Sequence, residues 1–172
     1  MFRKGGPVGI VVDVRNQLVR KRLRRPDAGF SLLDLMIALA IVGVLLAVAV
    51  PSYARYVARA NTSAAIADIA RIHLAIETYK MNRDAPPPDL AAIGMAGVLD
   101  PWGQPYAYLS FDGLKGKGAM RKDKNLVPIN SEYDLYSVGP DGKSVPPLTA
   151  KPSQDDIVMA NNGGFIGLAA DY

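Results

Sequence analysis

Residues 29–51 read Gly29-Phe30-Ser31-Leu32-Leu33-Asp34-Leu35-Met36-Ile37-Ala38-Leu39-Ala40-Ile41-Val42-Gly43-Val44-Leu45-Leu46-Ala47-Val48-Ala49-Val50-Pro51. From Phe30 to Val50 a single residue, Asp34, is charged. The run has the length a helix needs to cross a bilayer. Immediately upstream lies Arg20-Lys21-Arg22-Leu23-Arg24-Arg25, and a basic flank holds that end in the cytoplasm. A cleavable secretory signal has a shorter apolar stretch followed by a small-x-small site. This run continues into Pro51-Ser52-Tyr53 without one. The plain alternative is a single-span anchor carrying a binding domain outside the membrane. Asp34 argues against it, because a carboxylate in hydrocarbon costs about 2.5–3.5 kcal/mol and normally has a functional partner. No lysine or arginine within the run supplies one, so the partner is expected from outside the chain or from a chain end.

Outside this run the composition is unremarkable for one small domain of 172 residues. The formal net charge of +4 is unevenly placed. Residues 1–29 hold eight basic residues against two acidic, a net of +6, and the remainder holds 12 against 14, a net of −2. If the first 29 residues are a leader, the mature chain is mildly acidic, and high overall charge is no argument for nucleic acid. There are no cysteines, which excludes disulfides, thiol catalysis and thiolate metal sites.

Helical periodicity continues past Pro51. Ile66, Ile69, Ile72 or His73, Ile76 and Tyr79 recur at spacings of three and four. One helix is expected over residues 31–81, bent or locally melted at Pro51, and ended by Asn82-Arg83-Asp84-Ala85-Pro86-Pro87-Pro88. Its first half is apolar all round. Its second half has one apolar stripe and is expected to pack on a small sheet. The fold class is therefore α+β, in four parts: leader 1–29, membrane helix 30–51, amphipathic helix 52–82, and head 83–172. In the head, residues 89–99 form a short helix or turn. Strands are expected at 106–111 and 133–138, with a weaker one at 126–129 and a Gly/Lys/Arg-rich hairpin loop at 113–125. Trp102 and the tyrosines are expected to pack in the core. The tail beyond Asp156 reads as a final short strand or packed extension without a functional assignment.

The stretch Gly29-Phe30-Ser31-Leu32-Leu33-Asp34-Leu35-Met36 resembles the processing motif of type IV pilins and type II secretion pseudopilins. Pro51 lies at the family's offset, and the basic cluster before Gly29 fits its leader. Asp100-Pro101-Trp102-Gly103-Gln104-Pro105-Tyr106 and Tyr133-Asp134-Leu135-Tyr136-Ser137-Val138-Gly139 resemble the head of the major secretion pseudopilin. The resemblance implies a pilin-like fold and cleavage between Gly29 and Phe30 by a prepilin peptidase, followed by N-methylation of Phe30. Asp34 would pair with the N-terminal amine of a neighbouring subunit, which sets register more surely than it adds stability. The family usually has glutamate there, one methylene longer. The implied partners are like subunits, minor pilins or pseudopilins, an inner-membrane platform protein and an assembly ATPase. The implied location is a single-pass inner-membrane precursor with a periplasmic head, then a filament. The leader is long for this kind of pilin, and Val19 or Leu18 as true start is an expectation that sequencing of the unprocessed precursor tests.

The resemblance also implies calcium, held by Asp141 and Asp156 with the Val138 carbonyl, and with Asp155 as a further candidate. Oxygen donors on a flexible loop suit that ion. Lys143 and Lys151 in the same segment oppose a cation, and Asp141-Gly142 reads equally as a plain turn. The single histidine, His73, falls within the helix and reads as a satisfied, partly buried side chain. No catalytic constellation stands out, and the expected role is structural. Lys115, Lys117, Arg121, Lys122 and Lys124 form a basic patch that reads as a solvated hairpin or an intersubunit contact. No nucleic-acid partner is expected.

Overall fold

A computed structural model describes residues 29–124 and 127–172. The basic leader with Val19, Leu18 and the 20–25 cluster, and also Asn125 and Leu126 of the head, lie outside the described residues. The chain divides into two compact units at Gly43 and Val44.

A single helix, α1, runs Leu32–Arg83, two residues beyond its expected end. It passes through Pro51 without interruption, so of the two alternatives, bending or local melting, melting does not occur. Proline removes one backbone donor, and neighbouring polar side chains engage the carbonyls there. Ser52 Oγ donates to the Val48 carbonyl at 2.8 Å and Arg55 Nε to the Pro51 carbonyl at 3.2 Å. In the first unit, α1 shows no buried residue, and exposure continues through Ala60.

In the second unit the buried face of α1 is Ala65, Ile69, Ile72 and Ile76. The three- and four-residue steps are those of one helical stripe, and Ile72 rather than His73 sits at its centre. This stripe packs on a four-stranded sheet of order β1-β4-β5-β6. The strands are β1 Ala107–Ser110, β4 Tyr133–Ser137, β5 Ile157–Ala160 and β6 Phe165–Leu168, all antiparallel. Short strands β2 Lys122–Asp123 and β3 Val127–Pro128 pair separately. Between α1 and β1, a 3-10 turn at Leu90–Ile93 is capped by Asp89 Oδ1, which accepts the Ala92 N–H at 2.9 Å.

Strand alternation gives the sheet two covered faces. Tyr133, Leu135, Ile157 and Met159 meet α1, together with Leu90 and Tyr106. On the opposite face Val158 and Ala160 pack with Ile129, Leu148 and Ala169. The tail read as a final short strand or packed extension supplies two strands, β6 at its end and the inner strand β5, all four residues of which are buried. The signal was a run of four apolar residues between Asp155-Asp156 and Asn161-Asn162-Gly163-Gly164, which carries no alternation because both faces of β5 are covered. The expected 113–125 hairpin loop instead ends in β2. The strand expected at 126–129 is the two-residue β3.

Candidate functional site

The N-terminal segment is built from Ser31 outward. Ser31 Oγ accepts the Leu33 N–H at 3.3 Å, and Asp34 Oδ2 accepts the Ser31 N–H at 3.1 Å. This arrangement is a capping box in which the N-cap hydroxyl takes the second rather than the third helical N–H. It starts the helix at Leu32 and leaves Gly29 and Phe30 outside it. Sequence reasoning missed the arrangement, although Ser-x-x-Asp before an apolar run is its signature. Asp34 thus has a partner within its own chain, a backbone N–H, where only a partner from outside or from a chain end was expected. The carboxylate keeps capacity for a further donor, since each oxygen accepts more than one bond.

Phe30 is 87% exposed, and fourteen large apolar side chains from Phe30 to Val50 face outward. At about 1.5–3 kcal/mol per side chain removed from water, the segment forgoes roughly 20–40 kcal/mol when solvated. α1 is long and apolar enough to cross a membrane. Length alone does not distinguish a span from a core helix, but a core helix would be buried, and none of this segment is.

Two polar clusters of the head bear on the candidate residues. In one, Tyr133 donates to Glu77 Oε1 at 3.1 Å and lies 2.6 Å from His73 Nδ1. The hydroxyl hydrogen goes to the carboxylate, which only accepts, so His73 Nδ1 is the donor. Lys80 completes the cluster by pairing with Glu77 at 3.1 Å and with Glu132. Burial, then the Glu77 charge, pushes the Tyr133 hydroxyl well above its usual range. His73 is thus partly buried and hydrogen-bonded, as expected from the sequence. Tyr106 is buried, its hydroxyl bonded to Asp68 at 3.1 Å, and half-buried Trp102 packs on the same core.

In the second cluster Arg121 is 2% exposed. It is not part of a solvated basic patch; Lys115, Lys117 and Lys124 are the exposed members. Its backbone N–H donates to Asp134 Oδ2 at 2.6 Å. Its guanidinium donates to Ser144 Oγ, to the Val145 carbonyl at 2.7 Å and to Asp156 Oδ2 at 2.5 Å. The same group lies 4.4 Å from the Tyr136 ring centroid, a cation–π contact. Burial raises the Asp156 carboxyl to about 6 against the opposing pull of Ser144 and Arg121. Asp134 is also raised by burial.

The four candidate calcium donors are not brought together as one set. Asp141 and Asp155 meet, the Asp141 N–H donating to Asp155 Oδ2 at 3.3 Å. Asp156 is fully buried and held by Arg121. Val138 is half-buried at the end of β4. Among the described residues, no group of three or more carboxylate or imidazole side chains has metal-binding geometry. In the set containing Asp156, a guanidinium already engages the Oδ2 oxygen of that carboxylate.

Residues 24–50 match the family model described as the prokaryotic N-terminal methylation motif. The chain is 31% identical over 141 residues to the type II secretion system core protein G of Pseudomonas aeruginosa, covering 70% of this chain and 88% of that protein. It is 44% identical over 157 residues to the type IV major pilin protein PilE of Neisseria gonorrhoeae, covering 81% and 86%. The core protein G of Aeromonas hydrophila is 26% identical over 142 residues, covering 70% and 88%. No solved structure gives a significant match.

Proposed function

As the chain belongs to the type IV pilin and type II secretion pseudopilin family, we propose that this pilin-like filament subunit serves a secretion-type pseudopilus. A prepilin peptidase cuts between Gly29 and Phe30 and methylates the new Phe30 amine. The precursor is held in the inner membrane by its apolar helix, with the head in the periplasm. A platform protein and an assembly ATPase then draw it into the filament, alongside minor pseudopilins. The observation that carries this reading is the wholly exposed apolar segment of α1 directly after the non-helical Gly29 and Phe30. Lipid solvates such a surface before assembly, and neighbouring helices bury it afterwards.

The capping box supports the processing step. A protease needs a backbone it can grip in extended form, and Gly29 presents no Cβ to obstruct approach. In the filament Asp34 accepts the charged amine of the next subunit, an interaction that fixes axial register. The secretion assignment, rather than a surface pilus, rests on one feature: the head has no cysteine to bound a loop.

Mass spectrometry of the N-terminal peptide from membranes tests the reading, with and without Gly29→Ala. An N-methylated Phe30 terminus that disappears in the variant is the expected result. An intact leader in both would sink the processing pathway and the filament built on it.

A further inference from the structure

The segment from Gly139 to Asp156 leaves β4 and returns to β5, so its closure fixes how the two inner strands meet. Gly139 sits at φ +67, and a methyl group there would collide with the Asp155 backbone carbonyl. Ser153 Oγ accepts the Val145 N–H at 2.9 Å and donates to the Val145 carbonyl at 2.8 Å. Ser144 Oγ donates to Asp156 Oδ2 at 2.6 Å. Lys122 N–H donates to the Pro146 carbonyl at 2.9 Å, and Leu148 N–H to the Lys122 carbonyl at 3.0 Å. The guanidinium of Arg121 lies among these groups and touches Ser144, Val145 and Asp156 at once.

We infer that Arg121 takes the place of a divalent cation in closing the 139–156 segment, so that the head folds and holds this loop without calcium. A cation binding Asp156 would have to sit against, or displace, a buried guanidinium that already pairs with it. Among the described residues, Arg121 Nε and Asp156 Oδ1 are buried without a partner. One is a donor and the other an acceptor within the same ion pair. A small turn of the guanidinium toward two-pronged contact satisfies both, so neither orphan requires a metal. The surface carboxylates are balanced too. Asp141 and Asp155 share their shallow cleft with Lys143 and Lys151, two acids against two bases. Asp141 Oδ1 is engaged by the Lys143 N–H at 2.7 Å, and Asp155 Oδ2 by the Asp141 N–H.

The test uses the full chain in detergent. Thermal unfolding of the wild type is compared in chelator and in millimolar calcium chloride, and the curves are expected to coincide. A calcium-dependent rise in melting temperature that Asp141→Asn with Asp155→Asn abolishes would overturn the inference. Its positive half is read by amide hydrogen exchange in Arg121→Gln. Protection at Val145 and Leu148 is expected to fall roughly a hundredfold or more, as an uncompensated buried carboxylate loosens the loop, while Ile72 and Ile76 in α1 stay protected. Wild-type protection at Val145 and Leu148 in that variant refutes the role assigned to Arg121. Should Arg121→Gln fail to fold, Ser144→Ala gives the same readout in milder form. It removes the hydroxyl joining guanidinium to carboxylate, and unchanged exchange there refutes the role equally.

Discussion

Asp156 offers a pH experiment whose sign is not obvious beforehand. The carboxyl is fully buried, and burial raises it from 3.8 to about 6 despite the adjacent Arg121. A raised carboxyl means the folded state binds the proton more tightly than the unfolded state. Its contribution to stability is therefore fully present below about pH 4 and is lost as pH rises through about 6. A shift of two units corresponds to about 3 kcal/mol at most. Other carboxylates also titrate in this range, so Asp156→Asn provides the reference, because asparagine keeps an acceptor oxygen without a charge to ionise. Urea unfolding of both proteins between pH 4 and 7.5 is the assay. The stability of the wild type relative to Asp156→Asn is expected to fall by about 1–3 kcal/mol as pH rises across that interval. A wild type that gains on Asp156→Asn with rising pH would refute the reasoning. It would mean that attraction to Arg121 exceeds the cost of burial, placing the carboxyl below its ordinary range. Desolvation is expected to win because a single buried guanidinium, Arg121, lies near two buried carboxylates, Asp134 and Asp156, and buried ion pairs seldom recover their full desolvation cost.

Other outcomes follow from local geometry. Gly139→Ala places a Cβ in the left-handed region and against the Asp155 carbonyl; the φ term alone costs about 1–2 kcal/mol, and a larger total loss is expected in thermal melts. Gly163→Ala drives a methyl into the His73 imidazole. His73→Ala in the same chain should restore part of the loss, and a double-mutant cycle measures the coupling. Asp34→Ala removes half of the capping box, worth about 1 kcal/mol, and should abolish filament assembly, whereas Asp34→Glu should retain it; sedimentation of assembled filaments separates the two. Tyr133→Phe deprives Glu77 and His73 of a shared hydroxyl and is expected to destabilise the head by about 1–3 kcal/mol in urea unfolding.

The helix was legible because its evidence is local. Ile69, Ile72 and Ile76 stand at helical spacing, and the apolar run from Phe30 to Val50 needs no partner to be recognised. Strands β1 and β4 were found within a residue at each end for the same reason: short tyrosine-containing runs between turn formers. β5 was not found, because an apolar run buried on both faces resembles a short piece of buried helix as much as a strand. The cap at Ser31 lies in the spacing of a hydroxyl from Asp34, a signal separate from the charge that marks Asp34 within the apolar run.

The sequence by itself determined the long helix, its exposed apolar half and the α+β class. These follow from periodicity, composition and neighbours a few positions away. Only the tertiary structure decided that Arg121 leaves the basic loop for the interior. It also decided that adjacent Asp155 and Asp156 part company, one toward the Asp141 N–H and the other toward a guanidinium. The physical reason is that the cost of burying a charge is set by what surrounds it. The partner of Asp156 lies 35 residues upstream, at a distance along the chain where no local pattern records the pairing.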